Sequence, residues 1–148
     1  KTAALFRTYL TRVTQEKLLD QLPRTAKDAF AGSKVCQDCH PDAHDIWQNT
    51  AHAGALKTLE REGQDRDPDC VSCHVVGLDS TSGFMSRKET PDLASVGCES
   101  CHGPSADHVK NPYEIKPPAR ARDACMKCHT PGHSPGFNFD SYWPRIQH

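Results

Sequence analysis

All eight cysteines of this 148-residue chain lie in four copies of one pentapeptide, Cys-x-x-Cys-His. The cysteines are Cys36 and Cys39, Cys70 and Cys73, Cys98 and Cys101, and Cys125 and Cys128. This pattern is the covalent attachment motif of c-type haem. Two thiols three residues apart lie on one side of a helical turn, where each can form a thioether with a haem vinyl group. We therefore predict four haem c cofactors.

The histidine that ends each motif follows the second thiol directly and is placed to bind the haem iron from the proximal side. These residues are His40, His74, His102 and His129. Histidine makes up only 9 of the 148 residues, so its recurrence after all four cysteine pairs is not a chance result. A zinc ribbon would separate its pairs by roughly 15–20 residues, whereas the gaps here are 30, 24 and 23 residues. The motif thus favours haem over zinc, a redox dithiol or a disulfide framework.

Composition supports an interior built partly from cofactors. Leu, Ile, Val and Phe together number 24 of 148 residues, a share below the roughly 20 per cent expected of a chain that builds its own core. Four porphyrins would supply the missing apolar surface. We expect a mainly α multihaem fold, with short helices and long loops wrapped around four packed haems and little or no β structure.

The chain divides into two predicted regions. Residues 1–31 form an N-terminal amphipathic helix, over about 3–22, and a linker, whereas residues 32–148 form the tetrahaem domain. Around the first two motifs we expect a helix from Pro41 through Trp47, a second over about 51–61 with Thr50 as its N-cap, and a long polar loop over about 79–97.

The sixth position of each iron needs a second ligand, and five histidines lie outside the motifs. They are His44, His52, His108, His133 and His148. Methionine is disfavoured, since Met126 lies inside a motif and Met85 lies in the predicted loop. His52 has small neighbours that admit a porphyrin plane, His108 follows a short turn, and His148 ends a tail rich in proline and aromatic residues. We expect these three to be distal ligands, with His44 and His133 as the alternatives.

Three local patterns resemble the cytochrome c-554 family. They are the first motif followed by Trp47 and the run Thr50-Ala51-His52-Ala53, the run Val96 to Pro104 with His108 after it, and the closing run from Cys128 to His148. Members are mainly helical tetrahaem electron carriers with closely spaced haem pairs. Carried over, the resemblance implies His52, His108 and His148 as distal ligands and leaves the haem of His74 five-coordinate.

Residues 1–31 resemble modules that follow a calcineurin-like phosphoesterase domain in some exported bacterial proteins. This implies the C-terminal cytochrome module of a phosphoesterase-cytochrome fusion. Because the 148 residues contain no phosphoesterase metal motif, we expect no hydrolase activity from them. Residues 1–25 lack the apolar region of an export signal, so we expect the signal to have been removed, with Lys1 either a mature terminus or a domain cut.

These features predict electron transfer in the periplasm or outside the cell, with redox proteins as partners. No Ser-His-Asp or carboxylate arrangement accompanies the motifs, so we expect an electron carrier and not an enzyme. Two alternatives are reduction of a small molecule such as nitric oxide at a five-coordinate haem, and a polymeric haem wire built from copies of this chain. No basic run predicts nucleic-acid binding, and no apolar stretch approaches the ~20 residues of a membrane span.

Overall fold

The computed structural model describes residues 2–117 and 121–148. Within them the chain forms nine short α-helices and no β-strand, and Ala26 and Ser80 make an isolated bridge. The helices are α1 (Thr2–Gln15), α2 (Ser33–Cys36), α3 (Pro41–Gln48), α4 (Ala55–Glu62), α5 (Pro68–Val71), α6 (Cys98–His102), α7 (Ala106–Lys110), α8 (Ala121–Cys128) and α9 (Phe139–Tyr142). The 3-10 turns are Leu18–Gln21, Ala51–Gly54, Pro91–Leu93 and Trp143–Arg145. The predicted mainly α fold is confirmed.

Every haem motif begins in a short helix. Helix α5 shows how the sequence starts one: Pro68 occupies its first turn, where a missing N–H costs nothing, and Asp67 caps it by accepting a hydrogen bond from the Asp69 N–H at 3.1 Å. Helix α6 holds a complete motif and ends at Gly103, whose φ of 80° few other residues adopt. The cysteines are thus placed on helical turns, as the attachment chemistry requires.

The N-terminal helix is shorter than predicted. It ends at Gln15, because Lys17 adopts a left-handed conformation with φ of 50° before the next turn begins. Of the predicted apolar stripe, Val13 is buried whereas Leu5 is 71 % exposed. The Tyr9 hydroxyl donates a hydrogen bond to an Asp67 carboxylate oxygen at 3.1 Å, which fastens α1 to the cap of α5.

A core of ten buried hydrophobic residues, here called the aliphatic core, surrounds the second motif. Its members are Leu19, Leu56, Leu59, Val71, Val75, Val76, Leu78, Phe84, Leu93 and Ala94. The predicted polar loop over 79–97 therefore contributes to the interior. Backbone hydrogen bonds hold it there, from the Val76 N–H to the Leu93 carbonyl at 3.0 Å and from the Phe84 N–H to the Val76 carbonyl at 2.9 Å.

The aliphatic core stops before the third motif. Residues 98–148 are here called the C-terminal segment. In the part of it that the structure describes, the buried residues are Glu99 and Ser105, and no hydrophobic side chain is fully buried. The expectation of a chain wrapped around packed haems therefore fits the C-terminal segment better than the rest of the chain.

Thr50 occupies the predicted N-cap position, directly before the next turn, but its side chain does not cap that turn. Its hydroxyl donates to the Trp47 carbonyl at 2.7 Å and makes no capping bond to the following turn. The backbone then passes through the 3-10 turn Ala51–Gly54 before α4 begins at Ala55. Thr50 thus closes α3, since its N–H and its hydroxyl both donate to the Trp47 carbonyl at the end of that helix.

Candidate functional site

Two proximal histidines are oriented through the ring nitrogen that would not bind iron. His74 Nδ1 lies 2.8 Å from the Ala55 carbonyl oxygen, and His129 Nδ1 lies 3.0 Å from the Ser134 hydroxyl. A carbonyl oxygen only accepts, so His74 Nδ1 must donate, which leaves the lone pair on Nε2. A metal-binding histidine usually makes such a hydrogen bond through the ring nitrogen that does not bind the metal.

Two of the predicted distal histidines have the same arrangement. His108 Nδ1 bonds to the Ile115 carbonyl oxygen, and His148 Nδ1 lies 2.9 Å from the Ile146 carbonyl oxygen. In both cases the carbonyl makes Nδ1 the donor and leaves Nε2 free to act as a ligand. Local backbone therefore sets the ring orientation of these two side chains.

Three of the four proximal histidines face a second histidine from outside the motifs. The ring centroids are 6.2 Å apart for His40 and His108, 6.1 Å for His129 and His52, and 5.7 Å for His102 and His148. An imidazole nitrogen lies about 2 Å from a first-row metal ion, so two imidazoles on opposite sides of one iron have centroids roughly 6 Å apart. The donor set and its spacing fit haem iron.

His74 differs from the other three proximal histidines. None of the aromatic ring contacts among residues 2–117 and 121–148 involves it. Its Nδ1 donates a hydrogen bond to the Ala55 carbonyl, which leaves Nε2 as the nitrogen that would bind iron. Within the described residues, His74 therefore has no histidine ring facing it.

His44 and His133 occupy other places. The His44 ring contacts Trp47, with centroids 5.2 Å apart, and its buried Nδ1 lacks a hydrogen-bond partner. His133 is exposed, and its Nδ1 lies 3.1 Å from the Thr130 hydroxyl. Neither ring is in contact with a proximal histidine.

Thiols of different motifs meet in two pairs. Cys36 and Cys98 share a hydrogen bond, which lowers the pKa of the Cys98 thiol to about 6. That bond, together with burial and nearby negative charge, raises the pKa of the Cys36 thiol. Burial first and then a hydrogen bond with Cys73 raise the pKa of Cys128 to about 12. The first motif therefore lies beside the third, and the second beside the fourth.

Burial also favours the protonation state that binds metal. It lowers the pKa of His52, of His102 and of His129, in each case as the largest cause. Neutral imidazole is the ligand form of histidine. None of the eight cysteines, all of which lie in the described ranges, is joined in a disulfide.

Residues around His129 were missed from the sequence. The Phe137 ring stacks on the His129 ring with centroids 4.2 Å apart and planes 15° apart. Together with Ser134 it fixes the rotation of the imidazole. Their positions five and eight residues after the motif histidine carry no periodic signal, although Phe137 stood out in the aromatic tail.

No group of three or more His, Cys, Asp or Glu side chains in the described ranges lies close enough to hold one metal ion, as a zinc ribbon would require. Nor does any helix in those ranges have the length and apolar character to cross a membrane.

Comparison with known proteins finds similarity to one family. The model for "Cytochrome c554 and c-prime" matches residues 35–103, and cytochrome c-554 of Nitrosomonas europaea is 38 % identical over 106 residues. The structure of reduced cytochrome c554 from that organism superposes with a TM-score of 0.65 at 26 % identity, covering 82 % of this chain and 85 % of that one. The chain is thus similar to the cytochrome c-554 family in sequence and in fold.

A second relative of this cytochrome is the C-type polyheme cytochrome OmcB of Geobacter sulfurreducens, 31 % identical over 88 residues. The aligned regions cover 45 % of the curated Nitrosomonas protein and 12 % of OmcB, so the chain spans less than half the length of either. The similarity supports covalently bound haem c and haem-based electron transfer. The predicted resemblance to this family is confirmed.

Proposed function

We propose that this cytochrome carries four haem c groups, three with two histidine ligands and one with His74 as its only protein ligand. It passes electrons between redox proteins outside the cytoplasm. The observation that carries the proposal is the spacing of about 6 Å between three proximal histidines and three histidines from outside the motifs.

Each residue has a defined role in this proposal. The eight motif cysteines form the thioethers, and His40, His74, His102 and His129 are the proximal ligands. The distal ligands are His108 opposite His40, His52 opposite His129, and His148 opposite His102. His44 and His133 are not assigned as ligands, because neither ring contacts a proximal histidine.

The bound haems supply one-electron chemistry at iron, and the chain sets the conditions for it. Ligation by two imidazoles, without a methionine thioether, favours low reduction potentials. The carbonyl partners of His74, His108 and His148 make each ring more basic and hold its orientation. These residues keep the ligand sphere fixed while the charge of the iron changes.

Thioether attachment takes place outside the cytoplasm, which supports a periplasmic or extracellular location and redox proteins as partners. The domain division at residue 31 and the link to a preceding phosphoesterase domain stay predictions. A polymeric haem wire depends on a histidine that can reach another copy. His133, exposed and bonded only locally, is the candidate, whereas His148 contacts His102 of its own chain.

Intact-mass analysis of protein made with a haem-attachment system tests the proposal. We expect the mass of the chain plus four haems, and reductive titration should take up one electron per haem. A mass equal to the bare chain, or to the chain with zinc, would contradict it. Replacement of both cysteines of one motif by alanine should lower the mass by one haem. Replacement of one exposed serine by alanine should remove no haem.

A second candidate function is ligand binding, and reduction of a small molecule, at the iron of the second haem. The absence of a ring partner at His74 within the described residues favours it. Carbon monoxide added to reduced protein, or nitric oxide, should change the spectrum of one haem in four. If no added ligand alters the spectrum, the sixth position of that iron is not accessible and this candidate function is wrong.

A further inference from the structure

Glu99 is a buried carboxylate inside the third motif. It has no role in the haem attachment and iron ligation proposed above. It is 4 % exposed, although glutamate is almost never fully buried without a partner. None of the ion pairs formed by the described residues includes it. The protein therefore keeps a charge in its interior without a cationic side chain beside it.

Backbone N–H groups from two other segments donate hydrogen bonds to this buried carboxylate. The Ala31 N–H lies 2.9 Å from Oε1 and 3.1 Å from Oε2, the Gly32 N–H donates to Oε2 at 2.8 Å, and the Ser105 N–H donates to Oε1 at 2.8 Å. Both oxygens thus face donors. This arrangement suits an ionised carboxylate, which only accepts, because a proton on either oxygen would oppose an N–H group.

A second contact runs beside the first. The Ser33 hydroxyl accepts a hydrogen bond from the Cys98 N–H at 3.1 Å. Gly97 allows this approach, since a Cβ atom there would lie 2.4 Å from the Ser33 oxygen. Ser33 and Glu99 together fasten the chain entering the first motif to the third motif. This pair of contacts is here called the Glu99 clamp.

The charge of Glu99 lies beside the attachment points of two haems. Cys98 is its neighbour in the chain, and the Cys98 N–H donates to the hydroxyl of Ser33, three residues before Cys36. The Cys36 thiol also lies 3.6 Å from the carbonyl of Gly32, the residue whose N–H binds the carboxylate. The first and third haem motifs therefore share one interior negative charge.

We propose that Glu99 lowers the reduction potentials of the haems held by the first and third motifs, while the clamp fixes those motifs against each other. The inference rests on the proposed function, which supplies the haems. Reduction takes one electron from the reductant, converts Fe(III) to Fe(II), and makes or breaks no covalent bond. The added negative charge is repelled by a carboxylate that the fold holds in place.

Coulomb's law sets the expected size of the effect. At an effective dielectric constant of about 20, a unit charge on the order of 10 Å away changes the equilibrium constant for reduction on the order of tenfold. A tenfold change in a one-electron couple corresponds to about 59 mV. An effect of this size is readily resolved in a redox titration.

The test is a redox titration of holoprotein, followed by haem absorption and by electron paramagnetic resonance. Glu99→Gln removes the charge with little change of shape, and two of the four haems should become about tenfold easier to reduce. Ser33→Ala is the matched structural control, because it weakens the clamp and keeps the charge. It should lower the melting temperature and leave the potentials unchanged. Asp67→Asn removes a second buried carboxylate, beside the second motif, and should spare the same two haems.

The inference is overturned if the equilibrium constant for haem reduction changes less than twofold in Glu99→Gln. It is also overturned if Ser33→Ala shifts the potentials by the same amount as Glu99→Gln. If Glu99→Gln yields no holoprotein, Glu99→Asp replaces it. That variant keeps the charge and loosens the clamp, so unchanged potentials support the inference and a tenfold shift overturns it. Intact mass of the wild type is read separately: fewer than four haems would refute the proposed haem count, whereas four haems with unshifted potentials would refute only the role of Glu99.

Discussion

Residues 19–94 bury ten hydrophobic side chains in one aliphatic core, whereas the described part of residues 98–148 buries Glu99 and Ser105. Both regions carry two haem motifs. The contacts of the C-terminal segment instead centre on its ligands, as in the stacking of Phe137 on His129 and the approach of His148 to His102. The two regions therefore obtain their interior from different sources.

The comparison explains why so few hydrophobic residues suffice. Buried apolar area stabilises a fold by roughly 25 cal/mol per Å², and the aliphatic core provides that area in its own region. The described part of the C-terminal segment has no such core. We therefore expect its stability to come from haem surface and iron ligation, as in small domains that fold only with their metal. The predictions below test this division, from the largest expected effect to the smallest.

Loss of the fourth haem should unfold much of the C-terminal segment. In a Cys125→Ala, Cys128→Ala variant, amide exchange over 98–148 should become nearly complete, while residues 55–62 of α4 keep protection from the aliphatic core. Hydrogen exchange with mass spectrometry measures both. Cys70→Ala with Cys73→Ala is the control, and it should leave the C-terminal segment protected. Equal protection of 98–148 in both variants would break the comparison.

Leu56→Ala should destabilise the other region. Leu56 is 3 % exposed in the aliphatic core, and truncation of such a residue costs about 2–5 kcal/mol. Denaturant unfolding of the holoprotein, followed by circular dichroism, gives the free energy of unfolding. Val109→Ala changes a 40 % exposed residue of the C-terminal segment and should cost no more than about 0.5 kcal/mol. A similar loss in the two variants would contradict the account.

His148→Ala should open one iron and free the tail. One low-spin iron should become high-spin, because the ring facing His102 is removed, and amide protection should fall over residues 139–148. Electron paramagnetic resonance and hydrogen exchange report the two effects. His133→Ala serves as the control, since its ring contacts Thr130 and no proximal histidine. A change of spin state in His133→Ala would show that the ligand assignment is wrong.

Trp47→Phe should have the smallest effect of the four. It removes the hydrogen bond from Trp47 Nε1 to the Val96 carbonyl at 2.8 Å, which ties α3 to the chain entering the third motif. The expected cost is about 1 kcal/mol in the free energy of unfolding. Tyr113→Phe, at a residue 94 % exposed, should leave it unchanged. A cost of zero for Trp47→Phe would mean that this link between the regions adds no stability.

The sequence was sufficient for the family, the helical fold and the placement of the motifs, because covalent attachment demands a fixed local spacing. It was not sufficient for the aliphatic core, whose members come from five short stretches that share no period. Phe84 and Leu93 looked like parts of a polar loop, and only their backbone bonds to Val76 and Thr90 reveal how they fold inward.

Two further features depend on contacts that the sequence does not encode locally. Glu99 is buried through the N–H groups of Ala31 and Gly32, which lie 68 and 67 residues away along the chain. The amphipathic pattern of the first helix runs on to Leu22, but the backbone breaks at Lys17. In both places tertiary contacts and one unusual backbone angle decide the outcome.

Low-temperature electron paramagnetic resonance of the oxidised holoprotein tests the ligand scheme most directly, because it counts high-spin and low-spin irons separately. Three histidine pairs, together with a His74 that no histidine ring of the described residues faces, predict three low-spin irons and one high-spin iron. Four low-spin irons would contradict the open position, and two or more high-spin irons would contradict the distal assignments.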